Sequence, residues 1–200
     1  MQQMQAQTHL PATSQPKSLN AGQRRALAMY RDRSTLLQYY NQDTPKVMDE
    51  YEAIMGGSPT LAVMNSTFGE GTAEVIIASK LCRLNQYTNV KMKITPEQAD
   101  AMATSLVADQ DLKGLKGDVL ALFFERLKTG AFGELYNIVD AVSLCAKLRQ
   151  FYEKCEAKRI AWADSVEQEE KYRRLDEHRK NAITFEQFKQ TEAYKRITNQ

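Results

Sequence analysis

Apolar residues recur along most of the chain at the three- and four-residue spacings of helices, so the pattern predicts an all-α fold, an irregular helical bundle. Between residues 22 and 42, Leu27, Tyr30, Leu37 and Tyr40 share one face, which predicts a single helix. Thr44-Pro45 then offers an N-cap and a first-turn proline for a helix bearing Val47, Tyr51, Ile54 and Met55, ended by Gly56-Gly57. Ser58-Pro59 repeats that grammar ahead of a short helix to Phe68, with Leu61, Met64 and Phe68 inward and Gly69 as its stop. Glu70–Tyr87 carries a wide apolar face of Val75, Ile76, Ala78, Leu81, Cys82 and Leu84, suited to a central core helix. Thr95-Pro96-Glu97-Gln98 reads as a capping box that opens a helix to about Ala108. After a loop from Asp109 to Gly117, a further helix spans Asp118–Lys128. Gly130 and Gly133 bracket a turn before the apolar patch Leu135, Tyr136, Ile138 and Val139. Asp140 is placed to cap a long helix buried through Leu144, Leu148, Phe151 and Cys155. A second capping box at Thr184–Gln187 starts a terminal helix with Phe188, Tyr194 and Ile197.

These elements divide the chain into a polar tail, residues 1–20, expected to be disordered; a basic helix, 21–44; a helical core, 45–166; and a projecting charged helix with a terminal helix, 167–200. A continuous helix from 140 to 180 would run about 60 Å, more than a small domain is wide, so its second half is expected to project or break. No apolar run reaches membrane-spanning length, and three cysteines make no disulfide framework, so a cytoplasmic protein is expected.

Composition narrows the chemistry. Cys82, Cys145 and Cys155 have no CxxC partner, and neither His9 nor His178 lies near a cysteine, so no metal site is expected. Gly69-Glu70-Gly71-Thr72 lacks the strand and the Gly-Lys-Ser/Thr of a phosphate loop. The pairs Asp109/Asp111 and Glu169/Glu170 read as solvated acids. No catalytic residues and no cofactor are expected, nor a small-molecule substrate, and the chain reads as a non-enzyme.

Charge is distributed unevenly. Residues 1–42 carry five basic residues against the single acid Asp32, a net +4, within an overall +2. Arg24, Arg25, Arg31 and Arg33, with Tyr30 for stacking, make a candidate nucleic-acid surface. The Glu153–Lys180 stretch holds eight acids and eight bases, a pattern of i, i+4 pairs on an exposed helix. Trp162, Val166 and Tyr172 on that helix are the candidate partner-binding residues. Around the Gly130 turn, Phe123, Leu127, Phe132, Leu135 and Tyr136 should pack together, with a positive φ at Gly130 and close helix approach at Gly133. Arg126 and Lys128, with Lys147 and Arg149, are placed to form a second basic patch.

Ser58-Pro59-Thr60-Leu61, Leu84-Asn85 with Val90-Lys91-Met92, Thr95-Pro96-Glu97-Gln98 and above all LFFERLKTGAFGELY over 122–136 with Val139-Asp140 carry a resemblance. Over roughly residues 57–160 the chain resembles an uncharacterised family of small helical proteins on phages and conjugative elements of gut bacteria. In layout it is similar to phage replisome organisers and helicase-loader accessory proteins, of which only the non-ATPase type fits. The resemblance implies an accessory or adaptor protein of phage or mobile-element DNA metabolism that binds a replication protein, with DNA as a further partner. The alternatives are a structural, self-assembling phage or mobile-element protein and a host-directed inhibitor.

Overall fold

A computed structural model describes residues 18–42, 49–87, 93–133, 141–182, 184–191, 194 and 196. Among them it is all-α, with nine α-helices, one 3₁₀ turn and no strand. The expected tail falls almost wholly outside the described residues, as do Thr44-Pro45, Val47, Leu135, Tyr136, Ile138, Val139, Asp140 and Ile197.

The stretch expected to be one helix is two, α1 (Ala21–Tyr30) and α2 (Arg33–Asn41). Arg31 takes φ 60°, in the left-handed region, and its N–H donates to the Leu27 carbonyl. Asp32 then caps α2, its carboxylate accepting from the Thr35 N–H at 2.8 Å. A signal for a cap was present in Asp32, but the apolar spacing ran straight through it. The break lets Ala26, Tyr30, Leu36 and Tyr40 all enter the main core, which therefore begins well before residue 45.

Helix α3 (Glu50–Met55) is capped by Asp49 and buries Ala53 and Ile54. Helix α4 (Leu61–Phe68) buries Leu61, Met64 and Phe68 as its spacing predicts, but its cap is Thr60, not Ser58. Residues 59–61 instead run extended beside 115–117. The Leu61 N–H donates to the Leu115 carbonyl and the Gly117 N–H to the Pro59 carbonyl, each at 3.0 Å. Helix α5 (Thr72–Tyr87) packs on α2, α4, α6 and α7. Its buried face is narrower than expected, because Val75 is exposed and Cys82 half-buried. Helix α6 (Pro96–Ala108) opens with the expected Thr95/Gln98 capping box. Asn85 ties the end of α5 to the start of α6, bonding both the N–H and the carbonyl of Ile94 at 2.9 Å.

After the 3₁₀ turn Gln110–Leu112 comes α7 (Gly117–Lys128). Every residue from Gly117 to Phe124 is buried, so α7, more than α5, is the central helix. Helix α8 (Ala141–Asn181) is continuous over 41 residues, about 60 Å at 1.5 Å per residue. Leu144, Leu148, Phe151 and Cys155 hold its first half against the body. From Ala163 to Asn181 every residue is exposed, so the helix projects unbroken and leaves the body slightly before residue 167. Helix α9 (Phe185–Lys189) opens on the expected Thr184/Gln187 box, and Phe185 and Phe188 both pack edge-on against Tyr194. Among the described residues no helix is long and apolar enough to cross a membrane.

Candidate functional site

The turn after α7 is a packing device. Phe123, Phe132 and Phe151 form a ring cluster with centroids 5.1 to 5.7 Å apart, and Phe124 stands edge-on to Phe123. Gly130 and Gly133 have φ of 77° and 82°, which explains a glycine at both. A β-carbon on Gly133 would meet nothing, so its role is backbone conformation and not the close helix approach expected of it. The second basic patch does not assemble. Arg126 is paired with Glu50 at 2.9 Å and lies over the Phe151 ring, and Lys128 is paired with Glu125 and lies over Tyr87. Lys147 donates to the Phe132 carbonyl, and Arg149 is held by Asp109 at 2.7 Å. Tyr136 lies outside the described residues.

Glu50 is a junction for three helices. It accepts from Arg126 of α7 and Lys158 of α8, and the Lys158 bond leads in pulling its carboxyl below the usual range. This fixes α3 alongside α8. There the Trp162 ring lies against Tyr51 with centroids 5.0 Å apart, so Trp162 is half-buried and not a free anchor. Next to it lies a groove of about 640 Å³ with Tyr51, Met55, Ala163 and Val166 as its apolar lining. Glu52, Glu167 and Glu170 form the acidic rim. Tyr172 does not join it. At 100° per residue it points about 120° away from Val166, whereas Trp162 and Val166 are about 40° apart. The three residues expected to form one surface therefore lie on two faces.

The candidate nucleic-acid residues also separate. Arg24, Arg25, Arg31 and Arg33 are exposed, and none forms an ion pair with a described residue. Tyr30 is only 4% exposed, so it cannot stack on a base. Its hydroxyl meets that of Tyr40 at 3.2 Å, and Tyr40 donates to Asp118 Oδ1 at 3.0 Å. Asp118 is 8% exposed at the start of α7, and its N–H donates to Ser58 Oγ. Burial, and then the nearby Asp118 charge, push the Tyr40 phenol well above its ordinary value; burial likewise raises Tyr30.

A cleft of about 350 Å³ opens onto this network, lined by Met29, Tyr30, Thr35, Tyr39, Glu52, Gly56, Gly57 and Asp118. Sequence reasoning missed it. Asp118 looks like an ordinary first-turn acid, and three tyrosines near a run of arginines suggest a surface. Only the fold joins residues 78 positions apart in the Tyr40–Asp118 bond.

Lys80 underlies the network, donating to the Tyr40 carbonyl at 2.9 Å. Burial, followed by the charge of Lys128, pushes it down to about 8. The folded chain therefore releases this proton before the unfolded chain does. Stability should rise with pH from about 8 toward the ordinary lysine value of about 10.4. Urea unfolding at about pH 7.5 and about pH 9.5 should show this gain in the native chain and lose it in Lys80→Met. Equal gains in both would show that other groups cause it.

Among the described residues, no three His, Cys, Asp or Glu side chains come together as a metal site. No curated protein and no solved structure matches the chain. A family model, DUF6633, described as a family of unknown function, matches residues 91–199, a span that includes α6, α7 and the whole of α8. The chain belongs to that family.

Proposed function

We propose that this protein is a non-enzymatic adaptor that engages a protein partner at the base of the projecting half of α8. The observation that supports this is the groove between α3 and α8, apolar in its floor and acidic at its rim, at the point where the helix leaves the body. Apolar lining supplies burial, and Glu52, Glu167 and Glu170 favour a basic segment over an acidic one. The sequence resemblance makes a replication protein of a phage or mobile element the partner to seek first. The test is a nuclease-treated pull-down from host lysate with mass spectrometry. A replicative helicase, primase or initiator should be retained by the native chain, and Val166→Glu should reduce it at least about tenfold, the order expected for a buried interface anchor. Recovery of the chain alone would replace this reading with self-assembly.

A second reading concerns DNA. Arg24 and Arg25 near the start of α1 and Arg31 and Arg33 at the α1–α2 corner are exposed and form no ion pair with a described residue, which suits phosphate contact, with no stacking from Tyr30. Replacing Arg24, Arg25, Arg31 and Arg33 with alanine should flatten the salt dependence of DNA affinity by a slope of roughly 3 to 4. An unchanged slope would remove this role.

A further inference from the structure

The α8 wall of the α3–α8 groove runs from Ala163 to Glu170, about 10 Å or two helical turns. Tyr51 and Val166 leave 46% and 42% of their surface open there. Acids stand on both walls: Glu52 on α3, Glu167 and Glu170 on α8. Glu52 and Glu167 are exposed and form no ion pair with a described residue. Glu170 accepts from the exposed Arg174 at 3.2 Å, a surface pair of the kind that contributes little and exchanges readily. Both walls are helices, whose backbone groups bond internally, and among the described residues no strand offers an edge. An extended segment laid here would bury its own N–H and C=O groups without partners, whereas a helix carries them already bonded.

We propose that the groove holds an amphipathic basic helix of the partner protein, with apolar side chains at i, i+3, i+4 and i+7 facing the floor and Lys or Arg along both flanks. This rests on the adaptor reading and names the form of its partner. The span from i to i+7 is about 10 Å, the length of the α8 wall. The apolar stripe covers Tyr51, Met55, Ala163 and Val166, and the flanking cations meet Glu52 on one side and Glu167 and Glu170 on the other. An acidic helix would set like charges against both walls, and a neutral one would leave the rim carboxylates unmatched.

The test uses the full chain and a synthetic helical peptide with leucine at i, i+3, i+4 and i+7 and lysine on both flanks, beside counterparts in which glutamate or glutamine replaces lysine. Trp162 is the only tryptophan in the sequence and lies against Tyr51, so its emission reports on the groove, and titration calorimetry gives the affinity. Saturable binding of the lysine peptide is expected, at least about tenfold tighter than the glutamate peptide, with the glutamine peptide between them. Glu52→Lys combined with Glu167→Lys should reverse that order. Ala163→Phe, at an exposed helix position, should weaken the lysine peptide at least about tenfold without lowering the temperature of thermal unfolding. Equal affinity for the lysine and glutamate peptides, or an order unmoved by the double charge reversal, would overturn the proposal. So would a free chain that sediments as a dimer and becomes monomeric in Val166→Glu, because a second copy would then fill the groove. If no peptide binds while a lysate partner is still captured and is lost in Val166→Glu, this inference falls and the adaptor reading stands. If neither peptide nor partner is held, both fall.

Discussion

Phe123→Ala should destabilise the protein by about 4 kcal/mol and lower its melting temperature by about 10 °C. Phe123 is fully buried and touches the rings of Phe124, Phe132 and Phe151, so truncation removes one ring from the centre of a four-ring cluster. Those neighbours come from α7, the glycine turn and α8, and they cannot all move inward together. The cavity should therefore stay largely open, which keeps the cost well above the low end of the phenylalanine range. Phe123→Leu keeps most of the volume and should cost under about 1.5 kcal/mol. Differential scanning calorimetry of the two variants checks both values. Similar small shifts for both would mean that the cluster is looser than its geometry indicates.

Gly117→Ala is the second large effect, and it adds atoms where Phe123→Ala removes them. A β-carbon at Gly117 would overlap the Met64 methyl and the Tyr40 hydroxyl. Met64 could shift, but Tyr40 is held by Tyr30 and Asp118, and the Gly117 backbone is bonded to Pro59. Overpacking of this kind costs about 3 kcal/mol. Chemical denaturation should show a lower midpoint with the same slope. A midpoint equal to that of the native chain would mean that Tyr40 yields, and with it the Asp118 bond. Gly117 needs no left-handed φ, so its requirement is steric alone, and nothing in the local pattern sets it apart from a loop glycine.

Local chemistry made most helices legible. The Thr95/Gln98 and Thr184/Gln187 boxes act over three residues, and both stand where the sequence places them. The long helix was readable from its length, and the loss of apolar spacing after Val166 marked where it leaves the body. What failed depended on distant partners. The apolar spacing of 27, 30, 37 and 40 is compatible with one helix or two, and only packing chooses the break at Arg31. Ser58 looked like a cap because of Pro59, but its hydroxyl is used by Asp118. Trp162 and Val166 stand out in the sequence as apolar residues in a charged stretch, but Trp162 packs on Tyr51 and only Val166 lines the groove. Tyr172 was grouped with them by proximity in sequence, which ignores the helical angle. Asp118 gave no local sign at all, since Tyr40 and Ser58, to which it bonds, lie 78 and 60 positions away.

The extended contact of residues 59–61 with 115–117 bears on where this chain can be divided. The stretch shared with the family starts at residue 91, yet α7 fills the space enclosed by α2, α3, α4 and α5, all of which precede it. A fragment cut at 91 would lose the α3 and α5 surfaces on which α7 packs and leave the Gly117 N–H without its Pro59 acceptor. The cooperative unit is therefore longer than the shared stretch. In this chain the helices before residue 91 and the shared stretch should therefore unfold together, in one transition.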